Sequence, residues 1–166
     1  MSKKLIELFE TVQAIPYKCR TDNNVNLDLH LKHANCRQKR DLLKVELENN
    51  GILSKRIDAI FNWSDLSIPD RIIRTLKKSG TLQKHHLLEI KIGENHIKID
   101  PTWDLELELF GFPITKNWNG YSDTCQVTYG GIVFYDPRIQ KVSLPYHPDE
   151  RIEFANEFNE WVGRKL

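Results

Sequence analysis

The hydrophobic pattern of this chain predicts an α+β fold, in which amphipathic helices accompany an antiparallel sheet. Apolar residues recur at helical spacing near both ends of the chain and in a segment that begins at Cys36. The middle of the chain alternates apolar and polar residues, as β-strands do, and a two-residue turn joins two of these strands. Since no repeat, low-complexity tract or linker interrupts the 166 residues, we predict a single domain over residues 1–166.

Composition and charge argue against several classes of protein. Lysine and arginine number 24 and aspartate and glutamate 23, so the formal charge of +1 does not predict a nucleic-acid or membrane partner. No apolar run approaches the ~20 residues that a membrane helix needs, and the N-terminal segment lacks the pattern of a signal peptide. Three cysteines, an odd and sparse set, predict reduced thiols and a cytoplasmic protein.

Three segments have the apolar spacing of amphipathic helices. The first runs from about Lys3 to Ala14 and the last from Pro148 to Lys165. Between them, the segment Cys36 to Gly51 is expected to be a helix with Asn35 as its N-cap and Gly51 as its C′ residue. It has one apolar face, and charged residues cover the rest. This helix places Cys36 in its first turn. On the last helix we expect an inward face made of Ile152, Phe154, Ala155, Phe158, Trp161 and Val162.

The strands are expected in the middle of the chain. They are Ser54–Trp63, a hairpin over Lys84–Ile99, and Gln126–Tyr135. In the first of these, the alternation places Ile57, Ala59 and Phe61 on one face. A short helix is expected over 69–78 and a loop over the polar segment 17–26.

The predicted hairpin places one histidine beside an aspartate. Its expected turn is Gly93-Glu94, since a two-residue loop with glycine first is typical of a type II′ turn. This register pairs Ile90 with Ile97 and Leu88 with Ile99 on an apolar face. On the other, more polar face it pairs Glu89 with Lys98, Lys91 with His96, and Leu87 with Asp100. His85 lies on this second face, diagonal to Asp100, whereas His86 points to the first.

Cys36, His85 and Asp100 together have the chemistry of a nucleophilic triad. The positive end of a helix dipole favours the thiolate of a cysteine in its first turn. An imidazole can take and return the thiol proton, and a carboxylate orients the imidazole. Cys19 and Cys125 lack such a helix start. The alternatives are that Cys36 is a small buried side chain and that the histidine and aspartate are merely solvated.

Three motifs in this order resemble the transglutaminase-like superfamily, which shares a papain-like core. They are a cysteine opening a Leu-rich helix with a following Gly-Ile step (Ala34–Ile52), a His-x-x-x-Glu strand (His85–Ile90), and Asp-Pro-Thr (Asp100–Thr102). The similarity spans about residues 15–104. The chain departs from the usual residues at three positions, Asn35, Arg37 and Leu87. It therefore resembles a small, divergent member of prokaryotic type.

The resemblance implies a nucleophile-bearing helix packed on an antiparallel sheet, and thiol-dependent acyl transfer or hydrolysis through Cys36, His85 and Asp100. The substrate would be a peptide, protein or other amide or ester, handled by a peptidase, amidase or transglutaminase type of enzyme, and no cofactor is implied. The Cys36 backbone N–H is expected to be one oxyanion donor, with Tyr17 or Gln13 as candidates for the second. Four aromatic residues are expected to line the cleft or, alternatively, to pack in the core: Tyr17, Trp63, Trp103 and Trp118.

Two other functions remain as alternatives. The first is a catalytically silent module that uses the same fold to bind a partner. The second is a metal site made of His30, His33 and Cys36, which are spaced i, i+3, i+6 and could be joined by Cys19. Zinc ligands usually come as tight Cys or His pairs on a turn, so this spacing disfavours the metal site.

Overall fold

A computed structural model describes residues 2–19 and 29–164, and its fold is α+β, as predicted. Residues 20–26 of the expected loop lie outside the described residues. The helices are α1 (Ser2–Gln13), α2 (Cys36–Asn49), α3 (Asp70–Ile73) and α4 (Pro148–Trp161). The strands are β1 (Ser54–Asn62), β2 (Leu82–Ile92), β3 (Asn95–Ile99) and β4 (Val133–Tyr135). Among these described helices, none has the length and apolar character to cross a membrane.

The four strands form one antiparallel sheet in the order β3-β2-β1-β4. β1 pairs with β2 along its whole length, and its alternating residues Ile57, Ala59 and Phe61 are all buried, as expected. α2 packs against β2, and α1 packs against α2. The helix that begins with Cys36 therefore lies beside the strand that carries His85.

The hairpin has the predicted register. The pairing is confirmed from the turn out to Leu88, which lies opposite Ile99. Gly93 has a φ of +60° whereas Glu94 has no positive φ, which fits a type II′ turn and not type I′. The prediction that the second face is polar is wrong at Leu87, which is buried. The reason is that residues 132–134 return over this part of the face.

α2 begins at Cys36 with a complete capping box. The Asn35 side chain accepts the backbone N–H of Gln38 at 2.9 Å, and the Gln38 side chain accepts the N–H of Asn35 at 3.0 Å. Gly51 follows the C-cap at a φ of +71°, so both predicted ends of this helix are confirmed. The expectation that charged residues only cover its outer side is wrong at three buried positions, Lys39, Arg40 and Asp41.

The short helix predicted over 69–78 is wrong beyond Ile73. The Glu150 carboxylate of α4 accepts the backbone N–H groups of Lys78 and Ser79 at 2.8–3.0 Å. Because an outside carboxylate satisfies these donors, the chain turns here without continuing the helix.

The last helix is shorter than predicted and exposes one residue that was expected to face inward. α4 ends at Trp161, and Gly163 follows at a φ of +75°. Ile152 is 47% exposed, so its predicted inward position is wrong. The neighbouring arginine is buried instead, since the Arg151 guanidinium donates to the backbone carbonyls of Ser79, Gly80 and Leu82.

The strand predicted over Gln126–Tyr135 is wrong before Val133. Gly130 lies so close to Asp65 that a Cβ on the glycine would be 1.9 Å from the carboxylate oxygen Oδ2. Upstream, the Trp103 Nε1–H donates to the Val127 carbonyl at 2.9 Å. Contacts with side chains therefore hold this segment where strand pairing was expected.

Two clusters of buried side chains position the site. The first lies between α1, α2 and one face of the sheet. The second is rich in aromatic rings and includes Tyr17, Phe61, Trp63, Trp103, Phe112, Phe154 and Phe158. Cys36 is partly buried against this aromatic cluster, so the start of α2 lies where the aromatic residues meet the sheet.

Candidate active site

The His85 imidazole and the Asp100 carboxylate form a short buried contact. His85 Nε2 lies 2.6 Å from Asp100 Oδ2, and the two residues are 1% and 9% exposed. The hairpin register explains this contact, because Asp100 directly follows Ile99 at the end of β3. The sequence therefore predicted correctly which of the two adjacent histidines meets the aspartate.

Asp100 is itself held in place by backbone and side-chain partners. Its second carboxylate oxygen, Oδ1, accepts the backbone N–H of Thr102 at 3.1 Å. Its own N–H donates to Thr124 Oγ1 at 2.9 Å. Pro101 between them has no N–H to compete for the carboxylate. The Asp-Pro-Thr motif thus forms a turn that aims one oxygen at His85 and fixes the other.

The Cys36 side chain also acts on the His85 imidazole and raises its pKa. Since Nε2 of the ring contacts Asp100, Nδ1 is the ring nitrogen that is available to the Cys36 thiol. Burial lowers the pKa of the His85 imidazole, but the Asp100 carboxylate and then Cys36 raise it more, to about 10. At neutral pH the ring is therefore an imidazolium between a carboxylate and a sulfur.

Backbone pairing brings Tyr17 to the start of α2. Tyr17 and Ala34 form a parallel bridge, in which the Lys18 N–H donates to the Ala34 carbonyl at 3.1 Å. The Ala34 N–H donates to the Pro16 carbonyl at 3.0 Å. Because Ala34 is two residues before Cys36, this bridge fixes the tyrosine next to the nucleophile.

A cavity of about 430 Å³ opens at the Cys36 side chain. Tyr17 and Trp63 line it, together with residues 142–146 and the α4 residues Arg151 and Phe154. We call this cavity the cleft. Its volume is in the range of small-ligand sites.

The other two tryptophans expected at the cleft do not line it. Trp103 packs edge-on against Tyr17, with ring centroids 4.6 Å apart, and belongs to the aromatic cluster. Trp118 packs against Phe9 of α1, and its Nε1–H donates to the Ser122 carbonyl at 2.7 Å. Trp103 and Trp118 therefore pack in the core, which was the alternative to lining the cleft.

Cys19 lies in the same cleft as Cys36 but has a different chemistry. Burial, and then the charge on Cys36, raise the pKa of the Cys19 thiol to about 12, although Tyr17 and Arg151 oppose this. Cys19 is therefore a neutral thiol at physiological pH. Cys125 is exposed and does not line the cleft. Of the three cysteines, only Cys36 has an imidazolium partner in the described part of the chain.

The buried lysine of α2 was not predicted from the sequence. Lys39 is fully buried, and its Nζ donates to the carbonyls of Gln13 (3.0 Å), Pro101 (3.2 Å) and Thr102 (2.9 Å). Burial lowers its pKa to about 7, against the opposing charges of Asp104 and Asp100. One signal could have found it, because position 39 falls at helical spacing from the apolar residues Leu42, Leu43 and Leu47.

Asp104 is a second residue that the sequence did not predict, and its carboxylate holds Tyr17 in place. Asp104 accepts the Tyr17 N–H at 2.6 Å and the Arg164 guanidinium at 2.7 Å. The next segment is held by Asn159 of α4, which accepts the Cys19 N–H at 2.9 Å and donates to the Cys19 carbonyl at 2.8 Å. The wall of the cleft is thus fixed both by the segment that follows the hairpin and by the last helix.

Within residues 2–19 and 29–164, no group of three or more His, Cys, Asp or Glu side chains is placed to hold a metal ion. The alternative metal set of His30, His33 and Cys36 therefore gains no support from this part of the chain. Comparison of the chain with family models, with curated proteins and with solved structures finds no match.

Proposed function

We propose that the chain is a thiol enzyme of the transglutaminase-like type, with a papain-like core, that transfers or hydrolyses an acyl group of an amide or ester. One observation carries the proposal. The buried imidazole of His85 lies 2.6 Å from the Asp100 carboxylate, and the Cys36 side chain acts on the same imidazole and raises its pKa. Cys36 in turn lines a cleft large enough for a substrate.

The first half of the proposed reaction forms a thioester. The Cys36 sulfur, as a thiolate beside the His85 imidazolium, attacks the substrate carbonyl and a C–S bond forms. The carbonyl oxygen becomes an oxyanion. When the tetrahedral intermediate collapses, the imidazolium gives its proton to the departing amine or alcohol, so that a neutral product leaves. Asp100 orients His85 and stabilises its charged form throughout.

The second half releases the acyl group. Water or an acceptor amine attacks the thioester carbonyl, and His85, now neutral, takes a proton from this nucleophile. The C–S bond breaks, the Cys36 thiolate leaves, and His85 is again an imidazolium. Water as the acceptor gives hydrolysis, and an amine gives transfer.

Two groups can stabilise the oxyanion. The first N–H groups of a helix lack intrahelical acceptors, and the N–H of Cys36 is the one next to the nucleophile. Burial, followed by Cys19 and Cys36, raises the pKa of the Tyr17 phenol well above 10, so the hydroxyl stays a donor. The other candidate, Gln13, donates to the Thr115 carbonyl at 3.0 Å and does not line the cleft. We therefore assign the second donor to Tyr17.

The test is a screen of amide and ester acyl donors with the unmodified chain, Cys36→Ala and Cys19→Ala. Cys19→Ala is the matched control, since it removes a thiol from the same cleft. We expect turnover with the unmodified chain and with Cys19→Ala, and none with Cys36→Ala. A thioester adduct on Cys36, detected by mass spectrometry, would support the covalent step. Turnover that survives in Cys36→Ala would exclude Cys36 as the nucleophile, and a folded chain that no donor acylates would favour the silent binding module.

A further inference from the structure

A second cavity, of about 510 Å³, is lined by cationic side chains. Six of them line it: Arg37, Arg40 and Lys44 of α2, Lys55 and Arg56 of β1, and Arg138 after β4. The three residues of α2 are spaced i, i+3 and i+7, so they form one stripe along the helix. Among the described residues that line this cavity, Asp58 is the only acid. We call it the basic groove.

The carboxylates that pair with these cations are fewer than the cations. Among the described residues, four carboxylates pair with five of these cations: Asp41 with Arg40 and Arg56, Asp58 with Arg40, Asp136 with Lys55 and Arg138, and Glu48 with Lys44. Asp41 and Asp136 are each shared by two cations, so these pairs leave part of the positive charge unbalanced. The cations at its mouth are accessible, because the side chains of Arg56 and Arg138 are 50% and 68% exposed.

The basic groove adjoins the cleft. Arg37 and His86 line both cavities, and Arg37 directly follows the nucleophile. The cleft has further cations, Lys84 and Arg151, and no Asp or Glu lines it among the described residues. Both of these cations donate to backbone carbonyls, which do not neutralise their charge. Among the described residues, the two adjoining cavities around Cys36 are therefore lined by several cationic side chains and by one acid, Asp58.

We propose that the basic groove binds Asp or Glu side chains of an acidic peptide segment whose amide or ester carbonyl reaches Cys36. This inference rests on the proposed function and names its substrate class. Positive potential beside a reactive thiol favours an anionic ligand and speeds its capture. A peptide fits better than a nucleic acid, because a thiol that forms acyl intermediates needs a carbonyl donor, which a nucleic-acid backbone lacks.

The experiment measures binding without turnover. Cys36→Ala protein is titrated into a fluorescein-labelled peptide rich in glutamate, and into a peptide of the same length with glutamine in those places, while anisotropy is recorded. We expect tighter binding of the glutamate peptide and a loss of affinity as NaCl is added, because salt screens exposed charges. Introducing both Arg56→Gln and Arg138→Gln into the Cys36→Ala protein should weaken this binding roughly fivefold to tenfold. The matched control is Arg71→Gln, an arginine of α3 that is 63% exposed and outside the groove, and it should not change the affinity.

Equal affinity for the two peptides, or a double variant that binds as the parent does, would overturn the assignment. Tighter binding of a single-stranded oligonucleotide, weakened by the same two substitutions, would replace the peptide with a nucleic acid. Because this titration needs no catalysis, its outcome is independent of the acyl-donor screen. If the chain binds the glutamate peptide but no donor acylates it, the assignment of the basic groove stands and the proposed reaction is excluded.

Discussion

Lys39 and Thr102 are joined by a 2.9 Å hydrogen bond from the lysine ammonium to the threonine carbonyl. This bond connects the helix that begins with Cys36 to the turn that holds Asp100. The same ammonium also bonds Gln13, at the end of α1, and Pro101. The three carbonyls match the three donors of an ammonium, so one buried atom fixes the nucleophile helix relative to the carboxylate of the site.

Replacing Lys39 with methionine should destabilise the chain by about 2–4 kcal/mol, because three buried carbonyls lose their donor. Urea denaturation at pH 7 measures this. Lys44→Met is the matched control, since Lys44 lies on the same helix and pairs only at the surface with Glu48. It should cost at most about 1 kcal/mol. Equal losses in the two variants would contradict the structural role of the buried ammonium.

The stability difference between the unmodified chain and Lys39→Met should depend on pH. The pKa of Lys39 is about 7 in the folded chain and 10.5 ordinarily, so the unfolded chain binds more protons between these values. Stability from this group therefore rises with pH from about 7 to 10, by up to about 1.4 kcal/mol per pH unit. Denaturation midpoints of both chains across this range measure it. A difference that stays constant would mean that the folded lysine keeps its proton.

Cys36 should react first with iodoacetamide at pH 6, ahead of Cys125 and Cys19. The raised pKa of His85 keeps its ring charged as the proposed partner of Cys36, whereas Cys19, with its pKa of about 12, stays a thiol. Peptide mapping of the alkylated chain at pH 6 and pH 8 gives the order. Cys125, which is exposed, serves as the internal reference for an ordinary thiol. Equally slow labelling of all three would argue against the ion pair.

Asp100→Asn should lower kcat with an acyl donor by about 10²- to 10⁴-fold while the chain remains folded. The amide keeps the shape of the side chain but removes the charge that raises the pKa of His85 most. The low-pH reactivity of Cys36 should fall together with kcat. Glu89→Gln, at a partly exposed position on the same strand as His85, is the control and should leave both unchanged. A parental rate in Asp100→Asn would remove the carboxylate from the mechanism.

Gly130→Ala should destabilise the chain by about 1–3 kcal/mol, because the added Cβ would overlap the Asp65 side chain. At the neighbouring Gly131, which has no positive φ, a Cβ would meet no atom within 4 Å. Gly131→Ala should therefore change stability by less than about 0.5 kcal/mol. Thermal unfolding of the two variants compares them directly, and an equal cost would exclude the Asp65 contact as the cause.

Local patterns predicted the part of the site that depends on local geometry. The period-two alternation and the glycine turn fixed the hairpin register, and this placed His85 beside Asp100. The capping residue Asn35 and Gly51 gave the ends of α2, and with them the position of Cys36. These features were accessible because each follows from residues within a few positions of one another.

The features that the sequence did not predict depend on contacts between distant segments of the chain. The helical spacing of Lys39 places it on the inner face of α2, but it does not show that carbonyls from two other segments converge there to receive the ammonium. The segment before Val133 has strand-like residues, but Asp65 and Trp103 hold it away from the sheet. Ile152 has the spacing of an inward residue, yet Arg151 takes the buried side because it finds three carbonyls there. In each case tertiary partners override the sequence periodicity.

The paired hydrogen bonds between Asn159 and Cys19 have a consequence for the order of folding. They join residues 140 positions apart, and α4 also supplies Arg151 and Phe154 to the cleft. Closing so long a loop has a high entropic cost, which only the docking of α4 repays. The hairpin and α2 can form from nearer contacts, whereas the cleft wall waits for the last helix. During synthesis, Cys36, His85 and Asp100 would therefore be in the chain long before the wall of the cleft could form.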